Sequence, residues 1–305
     1  MELPYVTLDV FTATRFRGNP LAVVTIPHDI PPLTQEQKQT IAREFNLSET
    51  VFIHDEPDHD ETKSRRIDIF LTHSELPFAG HPTIGAAVHL LPQAVQTLVT
   101  KAGPISISTL QKGIAQITVP YHTHMHQKRL KDIPLDAQAL SSNLELRGLE
   151  LNAPIFSPVQ GMSFVLTELP SLALLGEVRQ DGTRFPADQL LDQGWAHGFI
   201  ARYFFVRTGL ATDEKGTPRI CLRARMIEHS FEDPATGAAA CALCCYLSLE
   251  GDKQTTSLRR YEITQGVEMG KESKIVVEIT MNGGAIEKVT LAGTAVQVME
   301  GRITI

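Results

Sequence analysis

Three ionisable residues stand where chemistry would need them. Glu49 follows Asn46, Leu47 and Ser48 and precedes Thr50, between a helix-like stretch and a strand-like one. It reads as a general acid/base at the rim of a cleft or as a surface glutamate in a turn. His81 lies in Gly80-His81-Pro82, where a ring would be exposed at a helix mouth. It reads as a proton carrier or a hydrogen-bond donor to substrate, or else as a helix N-terminal residue bonding to backbone. Asp233, in Glu232-Asp233-Pro234, reads as a group that orients His81 or holds a substrate amine. It is also a good helix N-cap, and both roles can hold at once.

Spacing links two of these residues. His81-Pro82-Thr83-Ile84-Gly85-Ala86-Ala87 and Asp233-Pro234-Ala235-Thr236-Gly237-Ala238-Ala239 share the proline, the glycine and both alanines. The second follows the first at 152 residues (81 to 233), almost half of the 305. Each follows a strand-like run and opens an apolar helix-like run. The economical reading is a duplicated unit in which strands wrap one buried helix per half. A helix start leaves backbone N–H groups unpaired and carries partial positive charge, so it binds carboxylate or phosphate. The glycines would let a ligand approach the backbone. The N–H groups of Gly85, Gly237 and Ala238 are therefore expected to hold a carboxylate. Two such starts facing each other would make a cleft with His81 and Asp233 pointing in. Burial there is expected to raise the pKa of Glu49 towards neutrality.

Other clusters weigh less. His122, His124 and His126 would share a face if extended, but they lie in a linker with no fixed fourth ligand, so no metal is expected. Cys221, Cys241, Cys244 and Cys245 all fall in the last third, three of them at helical spacing in an apolar run. They read as reduced, buried small hydrophobes. A racemase with one thiol from each half is excluded, because the first half has no cysteine. Glu75 and Arg225 are candidates for salt bridging or site support. The G-x-G-x-x-G, H-E-x-x-H and G-x-S-x-G signatures are absent.

The elements that must position these residues are many short strands and two prominent apolar helices. Alternation over residues 6–11 and the apolar run 21–26 flank the turn residues Arg17-Gly18-Asn19-Pro20 and predict a hairpin with a long loop. Thr34 with Gln37 forms a capping-box pattern for a helix to about Phe45. Strands are predicted at 50–54 and 67–72, separated by a charged loop over 55–66. Pro82 marks the first position of the first apolar helix, and the second spans about 234–249. Further strands are predicted at 105–108, 114–119, 203–207, 221–227, 261–264, 275–280, 288–291 and 295–299, with a weak helix near 186–193. The division expected is 1–120 and 121–294, with the strand at 295–305 returning to the first half. This pattern is α+β rather than regular βαβ alternation.

Composition narrows the function classes. The chain carries 28 basic and 35 acidic residues, for a net charge of −7, and is 42% hydrophobic. No long basic run exists, so nucleic acid is not an expected partner. No apolar stretch is long enough to span a membrane. The start of the chain carries Glu2 and Asp9 without a signal pattern, and a cytoplasmic location is expected.

Asp9-Val10-Phe11-Thr12 with Gly18-Asn19-Pro20, Asn46-Leu47-Ser48-Glu49-Thr50, Phe78-Ala79-Gly80-His81-Pro82-Thr83-Ile84-Gly85 and Glu232-Asp233-Pro234-Ala235-Thr236-Gly237 occur in this order. With Gln265-Gly266 and Ala292-Gly293, they resemble the PhzF-like phenazine-biosynthesis family over nearly the whole chain. The resemblance implies the diaminopimelate-epimerase-like fold. That fold has two pseudo-symmetric halves, each a β-barrel-like sheet around a central helix, with the active site in the cleft between them. It also implies a cofactor-independent isomerase or epimerase acting on a small carboxylate-bearing metabolite, and a homodimer. Glu49 matches the family's acid/base, and His81 and Asp233 match its other catalytic positions. Asn19, Ser48, Gly80, Gly85, Gly237 and Ala238 are the expected substrate-binding positions. Ala238 stands where serine is common and Lys271 where arginine is frequent, so the phenazine precursor need not be the substrate. A non-catalytic metabolite- or protein-binding member of the same fold stays open, as does a histidine-cluster metalloprotein.

Overall fold

The structure, a computed structural model of the 305-residue chain, describes residues 1–55, 63–135, 140–212, 216, 218–251 and 257–305. The first elements are β1 (Glu2–Val10), β2 (Asn19–Ile26), α1 (Gln35–Phe45), β3 (Thr50–His54), β4 (Ser64–Phe70), β5 (Glu75–Leu76), α2 (Gly80–Leu90), β6 (Thr97–Thr100), β7 (Gly103–Gln111) and β8 (Ile114–Thr118). Then come β9 (His124–Met125), α3 (Leu144–Asn152), β10 (Ile155–Val159), β11 (Met162–Glu168), α4 (Leu172–Gly176), α5 (Ala187–Leu190), β12 (Phe199–Thr212), β13 (Pro218–Glu228) and β14 (Phe231–Asp233). The last are α6 (Gly237–Glu250), β15 (Ser257–Gln265), β16 (Ser273–Asn282), β17 (Ala285–Gly293) and β18 (Ala295–Thr304). Two compact units result: Met1–Val119 with Thr290–Ile305, and Pro120–Val289.

In the first unit β1 pairs antiparallel with β2 and with β18. β2 runs parallel to β3, and β3 runs antiparallel to β4. β4 pairs antiparallel with β5 and parallel with β6, so α2 lies in the crossover from β4 to β6. β6, β7 and β8 continue antiparallel, and residues 290–293 of β17 pair with β8. The second unit repeats this connectivity. β10 and β11 are antiparallel, β11 and β12 parallel, and β12 and β13 antiparallel. β13 pairs antiparallel with β14 and parallel with β15, which places α6 in the equivalent crossover before β16.

The duplication is real, but its register is not that of the two motifs. The helices begin at Gly80 and Gly237, 157 residues apart (80 to 237) rather than 152. His81 therefore corresponds to Ala238 and not to Asp233. Proline tolerates both positions involved. Pro82 is the third residue of α2, where an N–H would have no helical partner, and Pro234 lies ahead of α6. Accordingly α2 starts two residues before the position expected from Pro82, and α6 starts three residues after Pro234.

Local signals explain other elements. Thr34 and Gln37 make the reciprocal capping pair of α1, Gln37 N–H to Thr34 Oγ1 at 3.2 Å and Thr34 N–H to Gln37 Oε1 at 2.9 Å. Asn46, with φ of 52°, ends that helix. In the expected 55–66 loop, Ser64, Arg65 and Arg66 join β4 instead, while residues 56–62 lie outside the described residues. α3, α4, β10 and β11 were not predicted. Pro158 and Gly161 interrupt the apolar runs of β10 and β11, which masks the periodicity of those two strands.

Both central helices are buried nearly all round, α2 among β1, β2, β3, β8 and β18, and α6 among β10, β11, β15 and β16. Close approach of α2 to its sheet depends on Gly85, where a Cβ would lie 2.3 Å from Leu21 Cδ2 and 2.9 Å from Val10 Cγ2. Gly85 thus serves helix–sheet packing. It is the sixth helical residue, so its N–H points back along the helix to a carbonyl. The expectation that it holds a substrate carboxylate is corrected. Among the described residues no helix is long and apolar enough to cross a membrane.

Gly85→Ala is expected to destabilise the protein by about 1–3 kcal/mol through overpacking against Leu21 and Val10. Urea denaturation measures this. A stability gain, which alanine gives in an unobstructed helix, would contradict the packing role.

Candidate active site

The first unit assembles its chemistry at the start of α2. Parallel pairing of β2 with β3 brings Asn19, the first residue of β2, and Glu49, which precedes β3, to the same sheet edge. There His81 Nδ1 lies 3.1 Å from Glu49 Oε2. The His81 side chain is 5% exposed and that of Glu49 17%, so this pair is shielded from water. Asn19 is buried as well.

The expected upward shift of Glu49 is corrected. Burial does push its pKa up, but the hydrogen bond and charge of His81 and a hydrogen bond from Ser48 outweigh burial, and the net shift is downward. Glu49 is therefore ionised at neutral pH and can only accept hydrogen bonds, so His81 Nδ1 carries the proton it donates. His81 Nε2 is then left buried with no hydrogen-bond partner among the described residues. A buried, unpartnered ring nitrogen is costly unless a ligand completes it.

His81 is the second residue of α2, inside the first turn rather than ahead of it. The helix begins its own bonding with the Thr83 N–H, which donates to Ala79 O at 3.3 Å. The Gly80 and His81 N–H groups thus precede the helical ladder and add positive potential beside Glu49.

The second unit builds a different arrangement at the start of α6. Thr236, not Asp233, is the N-cap residue. Asp233 ends β14 and accepts a hydrogen bond from Thr236 Oγ1 at 2.6 Å. Gln265 ties this turn together. Its Nε2 donates to Asp233 O at 2.7 Å and to Thr236 Oγ1 at 3.1 Å, while its Oε1 accepts from Tyr203 Oη at 3.1 Å. Nothing in the pattern of β15 assigned Gln265 a role. The available signal was a polar residue at the buried end of an alternating strand, followed by a glycine with φ of 75°. The Ala240 N–H donates to Thr236 O at 3.0 Å, so those of Gly237 and Ala238 have no carbonyl within the helix.

Arg225 supports this turn from behind with a bidentate ion pair to Glu232, at 2.7 and 2.8 Å. Glu75 instead pairs with Lys101 at 2.7 Å near the surface. The three α6 cysteines are buried, and burial pushes the Cys241 thiol up to about 12. These thiols are inert packing groups.

His124, His126 and Asp192 offer donor atoms within 4.8 Å of one another, while His122 packs beside Trp195. These donors already serve the protein. His124 Nε2 is 2.8 Å from Asp192 Oδ2, His126 Nδ1 accepts from the Asp192 N–H at 3.1 Å, and His126 Nε2 is 2.8 Å from Ser157 Oγ. Burial, and then the neighbouring His124, lower His126 to about 4, so it is neutral and engaged at both nitrogens.

The profile of the phenazine biosynthesis-like protein family matches residues 8–301. The chain belongs to that family. It is 33% identical to an uncharacterized isomerase of Mesorhizobium japonicum, over 99% of this chain and 98% of that one. It is 28% identical to the trans-2,3-dihydro-3-hydroxyanthranilate isomerase of Pseudomonas aeruginosa, over 98% of each. The crystal structure of a PhzF-family protein from Bacillus anthracis shares the fold, with a TM-score of 0.73, 22% identity and full coverage of both chains. The α+β, epimerase-like fold class expected from the sequence therefore holds for this family member.

His81→Ala removes the hydrogen bond and charge that lower Glu49 and leaves its burial. The Glu49 carboxyl is expected to titrate below its usual 4.5 in the parent protein and to move up in the variant. A carbon-13 NMR titration of the Glu49 carboxyl reads both values. An unchanged value would show that His81 does not set the charge state.

Proposed function

We propose that this isomerase moves a proton on a small carboxylate-bearing metabolite, with Glu49 as general acid/base and no cofactor in the chemistry. The observation that carries this reading is the shielded Glu49–His81 contact with His81 Nε2 unpartnered. An ionised carboxylate largely shielded from water, beside a ring that can donate or accept, is equipped to take a proton from carbon and return it elsewhere.

The lowered pKa fits a two-step transfer. It makes abstraction harder, because a weaker base takes the proton, and makes delivery easier, because the protonated carboxyl is a stronger acid. The burden of abstraction then falls on groups that stabilise charge developing on the substrate. His81 Nε2 serves that role in this reading. Asp233 and the N–H groups of Gly237 and Ala238 enter as substrate-binding groups, the amides for a carboxylate and Asp233 for an amine. Asn19, Ser48 and Gly80 complete the binding set beside Glu49. Ala238 carries no hydroxyl, so at that position only its backbone N–H is available to a substrate.

Solvent deuterium exchange tests the reading. With trans-2,3-dihydro-3-hydroxyanthranilate as first substrate and small amino and hydroxy carboxylates after it, deuterium is expected at a carbon-bound position. Glu49→Gln is expected to slow that exchange by about a hundredfold or more while circular dichroism stays unchanged. Exchange that persists at the parent rate would remove Glu49 from the chemistry. A carboxylate that binds with no exchange would favour a binding protein.

A further inference from the structure

The second unit contains a cavity of about 530 Å³ that has no part in the proposed proton transfer. It lies within the size range of small-molecule sites. Leu146, Val178 and Phe204 give it apolar walls, and Glu150, Asp181 and Arg202 line its charged side. Arg202 is almost fully buried, and its guanidinium is claimed by Asp181 through two hydrogen bonds of 2.7 Å. Glu150, fully buried near the C-terminal end of α3, reaches the same guanidinium only through Oε1 at 3.4 Å. Its Oε2 has no hydrogen-bond partner among the described residues.

Two carboxyl groups thus share one cation, and once Glu150 is ionised the excess is one negative charge beside an acceptor with no partner among the described residues. The last carbonyls of α3 add negative potential at the same place. Glu177 and Arg179, which also line the cavity, balance each other in charge. Every electrostatic element left over favours a positive, hydrogen-bond-donating occupant.

We propose that this cavity is a second small-molecule site, which takes a compact organic ammonium with its N–H donor on Glu150 Oε2 and its apolar body against Leu146, Val178 and Phe204. Burial raises the Glu150 carboxyl to about 7 against the opposing effect of Arg202. Occupancy therefore follows pH. Glu150 becomes charged as pH rises through 7, while an aliphatic ammonium keeps its proton well above that.

The test uses isobutylammonium chloride as probe, with isobutanol as its neutral counterpart, read by saturation-transfer NMR on the full chain. The ammonium is expected to bind about tenfold more tightly at pH 8 than at pH 6, the change in the ionised fraction of a group titrating near 7. Isobutanol is expected not to bind. Glu150→Gln is expected to abolish the signal, and Glu49→Gln to leave it in place, which separates this cavity from the α2 site. Equal binding of both probes, no binding of either, loss of binding in Glu49→Gln, or binding retained in Glu150→Gln would overturn the proposal. If Glu150→Gln does not fold, Ser142→Trp at the exposed rim of the cavity replaces it. Reduced binding in that variant supports the site, and unchanged binding overturns it.

Discussion

A helix that is apolar on every side has to be sheathed, and this requirement organises each unit. In α2 only Val88 and His89 of the eleven residues are more than slightly exposed, and in α6 ten of the fourteen are buried. Such helices cannot lie on a sheet with one face in water. Each is accommodated as the crossover between parallel strands, β4 to β6 and β13 to β15, with further strands closing around it. Once the sides are covered, a helix can offer polar groups only at its ends. The N-terminal N–H groups are the ones that need a partner and carry positive potential. Chemistry at the helix starts is thus a consequence of the sheathing.

The two units meet this demand in different ways. At α2 a carboxylate from the preceding strand region, Glu49, comes to the mouth and is held ionised by His81 and Ser48 against the cost of burial. At α6 the acidic group is local. Asp233 is fixed through Thr236, and Gln265 holds both from the neighbouring strand. The first arrangement leaves a titratable group near a ring nitrogen and suits proton movement. The second immobilises a carboxylate and aims backbone amides, and suits recognition. His81 is the second residue of α2 and Ala238 the second residue of α6, so only the first helix start carries a ring that reaches a neighbouring carboxylate.

Legibility in the sequence followed the range of the interaction. The Thr34–Gln37 cap acts over three residues and was readable, as were the apolar helices and most strands. The helix starts were misplaced because proline and small residues are tolerated on either side of a helix boundary. The shared Pro-x-x-Gly-Ala-Ala pattern aligned His81, which lies inside α2, with Asp233, which lies ahead of α6. Gly85 looked like a ligand-facing glycine, but its lack of a side chain serves Leu21 and Val10, which lie 64 and more residues away in sequence (21 to 85). The sign of the Glu49 shift was also out of reach. Burial could be inferred, but the outcome turned chiefly on a contact with a residue 32 positions on, helped by Ser48. Gln265, Glu150 and Arg202 belong to networks whose members have no common spacing.

Buried polar groups are fully matched in some places and left incomplete in others. Lys38, Asp68 and His54 form a compact cluster in which burial pushes the Asp68 carboxyl up, but hydrogen bonds to His54 and Lys38 outweigh it and hold Asp68 well below the usual carboxylate range. Arg225 and Glu232 satisfy each other, and Arg225 also donates to Leu175 O and Val178 O. Such sets hold the fold and leave nothing for a ligand to complete. Of the buried imidazole and carboxylate atoms among the described residues, His81 Nε2 and Glu150 Oε2 alone lack a partner. Folding tolerates an incomplete buried polar atom only where its cost is small beside the stability of the whole. A ligand that supplies the missing partner recovers that cost as binding energy, and this makes the same physical argument apply at the α2 mouth and at the cavity beside α3.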